Sequence, residues 1–300
     1  MKNNPKVAVA INCFNHERFI AECVQSVINQ TYTNWRIFFY DSNSTDRSRE
    51  IAYDYQKDYG VEKFRLDKPI GDKILPIGLS RYYNVMSALQ DKDVEYVAIM
   101  DADDYWDKEK LERQLIAFDL KPNSSICFTD ANYLHWKKGW CQIDNYPAFY
   151  ENDLYTKVVT GTFHDKYPVI RSNDPFIDIL TRYNFMPCLT LMFKANDLRT
   201  VIGQPTHYTS AEDYDWILKV LAKYNNFAYS DYALAYYRIH SDQITSKTPA
   251  RCTAEEIDVV KRAMYFRDLT KKEKRKVYRH IFYLYCKLIY KEIVEWRRSR

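Results

Sequence analysis

Three carboxylates, Asp101, Asp103 and Asp104, follow directly on the apolar run Tyr96-Val97-Ala98-Ile99-Met100. That run carries no charge and reads as a short buried β-strand, so it supplies no partner for an acid. The carboxylates therefore belong to the loop at the strand's exit, the edge at which open α/β sheets bind ligands. Like charges crowded there repel one another unless a cation neutralises them. Hard oxygen donors select Mg²⁺ or Mn²⁺, which keep open positions for substrate phosphates. Capping of the next helix is a weaker explanation, because Asp107 already stands before Lys108-Glu109-Lys110-Leu111. The cluster is expected to hold a divalent ion against a diphosphate.

The elements that must position these acids follow from the apolar patterning. Val7–Ile11, Trp35–Tyr40, Phe64–Leu66 and Tyr96–Met100 read as strands. Between them, helices are expected over Arg18–Asn29, Asp46–Lys57 and Ser80–Gln90, the second capped by Ser44 or Thr45. This alternation predicts a parallel sheet with helices on both faces. Its polar strand exits, Asn12–Asn15, Asp41–Asn43 and Asp101–Asp104, then lie on one edge and converge on one crevice. Further on, Ile126–Thr129, Leu189–Phe193 and Phe227–Arg238 read as strands and Asp215–Tyr224 as a helix. Residues 135–175, rich in Trp, Tyr, Pro and Asp, look like a long functional loop or partly ordered insertion. From 253 the chain is expected to be helical to its end.

Composition excludes several classes. A chain of 300 residues, 46% hydrophobic, can bury one large core or two modest ones. Only 6 Gly occur, and neither Gly-x-Gly-x-x-Gly nor Gly-x-x-x-x-Gly-Lys is present, which argues against a dinucleotide fold and a P-loop nucleotidase. His-Glu-x-x-His is absent too. The 7 Cys are scattered without a Cys-x-x-Cys pair, as expected of reduced thiols in a cytoplasmic protein. Met1-Lys2-Asn3-Asn4-Pro5 leads straight into a strand, unlike a secretory leader, and no apolar run reaches a membrane span.

Six stretches then recur in a telling order. They are Val9-Ala10-Ile11-Asn12-Cys13-Phe14-Asn15, Ser26-Val27-Ile28-Asn29-Gln30-Thr31-Tyr32, and Tyr40-Asp41-Ser42-Asn43-Ser44-Thr45-Asp46. Asp101-Ala102-Asp103-Asp104, Glu212-Asp213 ahead of Trp216, and Tyr237-Arg238-Ile239-His240 with Gln243 and Thr245 complete the set. Each alone is weak; together they resemble the family 2 glycosyltransferases, the inverting enzymes of GT-A fold. The resemblance is close over residues 5–125 and looser over 185–247.

The resemblance implies roles residue by residue. Asp103 would hold the metal, with Asp101 near the ribose or metal and His240 as a further ligand, and the ion would act as a Lewis acid on the leaving diphosphate. Arg238 would close over that diphosphate. Asp213 would be the general base, which must reach the acceptor hydroxyl, with Asp215 left to cap the helix. Glu212 and Trp216 would stand on the acceptor side. Asn12, Phe14, Asn15, Asp41, Ser42, Arg81 and Ala102 would bind the nucleotide-sugar. Ser42 and Asn43 depart from the family's Asp-Asp-Gly-Ser-Thr-Asp, which leaves the base open: UDP is favoured, and dTDP, GDP or CDP stay as alternatives.

The last stretch differs in charge. Residues 261–300 hold 14 Lys and Arg against 4 Asp and Glu, so the remainder of a chain of net charge +4 is slightly acidic. Tyr278, Phe282, Tyr285, Ile289, Ile293 and Trp296 recur at three- and four-residue steps among these cations. Such a basic amphipathic helix suits a membrane interface, or its stripe packs on the catalytic domain or a partner subunit. No nucleic-acid motif accompanies it.

The sequence therefore implies an α/β, GT-A type nucleotide-diphospho-sugar-binding fold with a mostly parallel central sheet flanked by helices and a C-terminal helical extension. Residues 1–125 would form the nucleotide-sugar-binding half, 126–250 the acceptor and catalytic-base half of the same domain, and 251–300 the extension. The expected activity is metal-assisted, inverting transfer from a nucleoside-diphosphate sugar, UDP-sugar first, to a saccharide or lipid-linked saccharide in capsule, lipopolysaccharide or other surface polysaccharide synthesis. The expected place is the cytoplasm, at the inner face of the membrane. The alternatives are a catalytically inactive sugar-nucleotide-binding or scaffold protein of a membrane-associated complex, and a nucleotidyltransferase.

Overall fold

A computed structural model describes residues 4–69, 74–138, 155–240 and 243–298. Its first half alternates as expected: β1 (Lys6–Cys13), α1 (Ile20–Ile28), β2 (Trp35–Asp41), α2 (Ser48–Tyr59), β3 (Phe64–Asp67), α3 (Ile77–Gln90) and β4 (Val94–Asp101). These four strands are parallel neighbours in the order β3-β2-β1-β4. Their side chains alternate between two apolar cores, one on each face. Ala8, Ala10, Phe38, Val97 and Ile99 point to one core, and Val9, Ile11, Ile37, Ala98 and Met100 to the other. A strand buried on both faces has no polar positions except at its tips, which is why the apolar runs end so abruptly in Asn and Asp.

The second half contains β5 (Tyr105–Trp106), α4 (Lys110–Leu120), β6 (Ile126–Lys138), β7 (Tyr155–Thr162), α5 (Phe163–Lys166), α6 (Pro175–Thr181), β8 (Met192–Lys194) and α7 (Ala195–Val201). α8 (Glu212–Tyr224), β9 (Ala228–Ile239), α9 (Ile244–Lys247), α10 (Pro249–Ala263) and α11 (Lys271–Arg298) follow. Here the sheet becomes mixed. β8 enters antiparallel between β4 and β6, β9 runs parallel to β6, and β5 and β7 pair antiparallel at the margins. The fold is thus a mixed α/β sheet, as the GT-A resemblance implies, with its parallel part confined mainly to the first four strands.

Several local expectations shift. Ser44 and Thr45 do not cap α2; the Asp46 carboxylate accepts from the Ser48 amide at 2.9 Å and takes that role. Leu189–Phe193 is not one strand. Pro187 closes a 3-10 turn over Cys188–Thr190, whose Thr190 hydroxyl donates to the Pro187 carbonyl at 2.7 Å, and β8 starts only afterwards. β6 continues well past Thr129 to pair with β7, so part of 135–175 is sheet and helix, while 139–154 lie outside the described residues. The helical end is broken between α10 and α11. α11 restarts on a reciprocal cap, Thr270 with Glu273, in which the Glu273 carboxylate accepts from the Thr270 amide at 2.7 Å. α11 rests on the body through Val277, Ile281 and Leu284, whereas Tyr278, Phe282 and Ile289 stand exposed on its outward side and Tyr285, at the edge of that side, accepts from Lys261 of α10 at 2.6 Å. No helix among the described residues is long and apolar enough to cross a membrane.

Candidate active site

The strand register brings the polar tips together. Asn12 of β1 lies beside Tyr40 of β2 and Asp101 of β4, and Cys13 beside Asp41. The Asn12 carbonyl accepts from the Ala102 amide at 2.9 Å, and the Cys13 carbonyl from the Ser42 amide at 2.9 Å. The β1 and β2 loops are then stitched side by side. Asn15, at φ 58°, accepts from the Thr45 amide at 2.8 Å; the His16 amide donates to Ser48 Oγ at 2.9 Å and the Glu17 amide to Asp46 at 3.0 Å. Asn tolerates this left-handed backbone, and Asn43 does the same in the opposite loop at φ 63°.

Above these tips opens a cavity of about 720 Å³. On the β1–β2 side Asn12, Phe14, Asn15 and Ser42 line it, and on the β4 side Arg81, Asp101, Asp103 and Asp104. Its far wall includes Asn184, Cys188, Ser210 and Asp213, and Tyr237 and Gln243 contribute from the end of β9 onward. Asn12 is held by Asn84, whose Nδ2 donates to its Oδ1 at 3.0 Å, and its own Nδ2 is buried without a partner among the described residues. A donor so placed at a cavity wall is available to a nucleotide.

The acid cluster keeps its expected place. One carboxylate oxygen each of Asp101, Asp103 and Asp104 lie within 4.8 Å of one another. Burial and the neighbouring charges of Asp103 and Asp101 push the Asp104 carboxyl well above the ordinary range. Burial alone would also raise Asp103, but His16 and His240 hold it down to about 2. His240 Nε2 is 3.1 Å from Asp103 Oδ2 and His16 Nε2 is 3.9 Å from the same oxygen. The three crowded carboxylate oxygens form a hard donor set that fits Mg²⁺ or Mn²⁺, with the His240 imidazole beside them.

Arg81 links this cluster to the far wall. It lies 2.5 Å from Asp101 and pairs on its other side with Glu212 at the start of α8. The approach depends on Gly78: a Cβ there would stand 2.3 Å from the Tyr208 carbonyl oxygen and 2.7 Å from a Glu212 carboxylate oxygen. Asp213, next along α8, faces the cavity. Burial raises its carboxyl above the usual range against the opposing pull of Arg81, and Cys188 hydrogen-bonds to it. His16, Asn84 and Cys188 carried no local sequence signal, since each reaches the site from a separate part of the chain.

Six expected roles do not survive the geometry. Asp41 is fully buried, takes Arg49 at 2.6 Å and holds its own loop rather than facing the cavity. Ala102 is buried and spends its amide on Asn12. Arg238 is fully buried behind the acids; it pairs with Glu22, donates to the Asp103 carbonyl and lies over the Phe19 and Tyr105 rings at 5.0 and 4.8 Å, so it does not close over a diphosphate. Trp216 is buried in the core beneath α8, not on an acceptor surface. Asp215 does not cap α8, which begins at Glu212; it is fully buried with Lys219 at 2.7 Å and Arg262 at 3.7 Å. Glu212 is 1% exposed and acts on the site by fixing Arg81.

Comparison with known proteins bears on the family and the fold. Residues 8–174, more than half of the chain, match glycosyl transferase family 2. The glucosyltransferase WfaP of Escherichia coli, described as acting from UDP-Glc on α-D-GlcNAc-diphosphoundecaprenol, is 24% identical over 80% of each chain. The uncharacterized glycosyltransferase alr2836 of Nostoc is 31% identical over 38% of this chain and 33% of its own length. The chain spans less than half the length of several such curated relatives. Among solved structures, S. aureus TarS in complex with UDP-GlcNAc superposes with a TM-score of 0.62 at 18% identity, over 91% of this chain and 70% of that one. The mannosyltransferase PcManGT of Pyrobaculum calidifontis, in complex with GDP-Man and Mn²⁺, gives 0.61 at 13% identity over 93% and 70%.

Proposed function

The chain belongs to glycosyl transferase family 2, and we propose that it is an inverting glycosyltransferase moving a sugar from a nucleoside diphosphate to a saccharide or lipid-linked saccharide acceptor. The observation that carries this is the shared cavity: the acid cluster and Asp213 line one space, with Arg81 between them. A nucleotidyltransferase would not need a base on that wall. Asn12, Phe14, Asn15 and Ser42 take the nucleoside, the amides by hydrogen bonding and the Phe14 ring by packing.

Asp101 and Asp103, with Asp104 and His240 beside them, would hold a divalent ion, which would supply Lewis-acid neutralisation of the departing diphosphate. Asp213 accepts the proton of the acceptor hydroxyl. The hydroxyl oxygen bonds to the anomeric carbon as its bond to the diphosphate oxygen breaks, and entry opposite the leaving group inverts that carbon. A carboxyl raised by burial is a stronger base than an exposed one, which suits this role.

UDP is the favoured nucleotide, on the strength of the donor named for WfaP and the ligand held by TarS; Mn²⁺ and GDP-Man in PcManGT keep the other bases in view. A diphosphoundecaprenol-linked acceptor, as named for WfaP, would place the work in surface polysaccharide synthesis of the capsule or lipopolysaccharide kind, on the cytoplasmic leaflet. The test is calorimetric titration of UDP, dTDP, GDP and CDP with and without Mn²⁺. Metal-dependent binding of one nucleotide, lost in Asp103→Ala, is expected. Absence of binding by all four would overturn the site assignment.

A further inference from the structure

We propose that the outward face of α11 docks on an anionic lipid bilayer. The helix is attached to the body mainly along one side: Val277, Ile281 and Leu284 are buried, Lys287 pairs with Glu256 at 3.0 Å, and Lys291 donates to Thr253 Oγ1 at 2.8 Å, while Tyr285 at the edge of the outward face accepts from Lys261 at 2.6 Å. On the other side Tyr278, Phe282, Tyr285, Ile289, Ile293 and Trp296 stand between 41% and 71% exposed. Their steps of three and four residues keep them on one stripe. An exposed stripe of this size is unusual on a solitary soluble chain.

The charge pattern selects the occupant. Lys271, Lys272, Arg275, Lys276 and Arg279 crowd the first turns and, with Tyr278, border a recess of about 630 Å³. Of the three acids on α11, Glu273 is tied to Thr270 and Glu295 accepts from the Ala250 amide at 2.8 Å. Glu292 is the sole exposed acid on the helix among the described residues. A face of cations interleaved with aromatic rings matches anionic headgroups over an acyl boundary: the rings enter the interface and the Lys and Arg stems reach up to phosphate. A second copy would set two strongly positive helices against each other and is disfavoured by repulsion. The helix is too charged to span a bilayer, so the contact is peripheral. The docking requires no substrate and stands independently of the transfer chemistry.

The test is sedimentation of the full chain with vesicles of mixed phosphatidylglycerol and phosphatidylcholine, and of phosphatidylcholine alone. The probes are one triple variant, Lys272→Gln with Arg275→Gln and Arg279→Gln, and another, Phe282→Ser with Ile289→Ser and Trp296→Ser. All six residues are exposed, and unchanged melting temperature and nucleotide binding establish that the fold is kept. Binding is expected only to the phosphatidylglycerol vesicles. Each cation near such a surface contributes about fivefold, so the charge variant should bind on the order of a hundredfold more weakly and the apolar variant at least tenfold more weakly. No binding to phosphatidylglycerol vesicles, or binding that both variants retain, overturns the proposal. So does concentration-dependent self-association that the apolar variant abolishes without vesicle binding by the parent.

Discussion

The Arg81 guanidinium lies 2.5 Å from the Asp101 carboxylate, although one stands on α3 and the other ends β4. The contact sets a charged group of the helix layer against the tip of the sheet. Because the same guanidinium also meets Glu212, it balances two acids from different halves of the chain.

Removing that balance should be costly. Arg81 and Glu212 are 5% and 1% exposed, and breaking a buried pair from one side leaves an uncompensated charge, at about 3–5 kcal/mol. Arg81→Met is expected to destabilise by about that amount, since it strands Glu212. Glu212→Gln should cost less, because Arg81 keeps Asp101. Urea denaturation of the two variants checks the ordering; equal losses would sink it.

Asp103→Asn should keep the fold and lose metal-dependent nucleotide binding. Withdrawal of one preorganised electrostatic group of this kind lowers kcat by about 10²–10³. Calorimetry with and without Mn²⁺ reads the first effect and steady-state transfer the second. A variant that binds nucleotide with undiminished metal dependence would remove Asp103 from the site.

Asp213→Asn should bind the donor normally and lose transfer by about 10²–10⁴, the range of a general base. The base works ionised, and burial places its titration above the ordinary carboxylate range. Activity is therefore expected to fall with decreasing pH already above that range. Cys188→Ala removes a hydrogen bond that favours the ionised form, so it should move this limb of the pH profile upward. A limb that stays in place would separate Cys188 from the base.

Away from the cavity, Lys110 is fully buried, donates to Gln114 at 2.7 Å and lies 3.8 Å from the Trp106 ring centroid. Burial lowers its ammonium from 10.5 to about 7. Between those values the unfolded chain binds the extra proton, so stability from this group rises with pH from about 7 and levels off near 10.5. Lys110→Met should therefore stabilise the protein most at or below pH 7 and progressively less towards pH 10. Melting curves across that range test the trend, and an advantage independent of pH would refute it.

The parallel strands, their polar exits and the acids at 101 and 103 were legible because each is local: an apolar run stops, and the polar residues after it must sit on an edge; Asp213 follows no such run and was marked only by the family resemblance. What the sequence conceals is direction. Arg238 lies in the same short stretch as His240, yet its side chain turns under the acids while the His240 ring meets Asp103. Trp216 stands three residues from Asp213 but belongs to the core beneath α8. Asp41 was placed at the right strand tip, and only the arrival of Arg49 from α2 shows that its charge is already taken. The break before α11 was marked by Thr270 and Glu273, a signal that the length of the apolar pattern masks.

The stitching of the β1 and β2 loops has a consequence for how this molecule can diversify. Asn15, Ser44, Asp46 and Glu17 lock two loops into one piece, so the wall they form is a fixed jaw. The facing wall is assembled from separate short pieces around Cys188, Ser210 and Gln243. In a vice of this design the anvil is shared and the sliding cheek is cut to the workpiece: substitutions opposite the stitched loops can reshape what is gripped without unsettling the side that holds still.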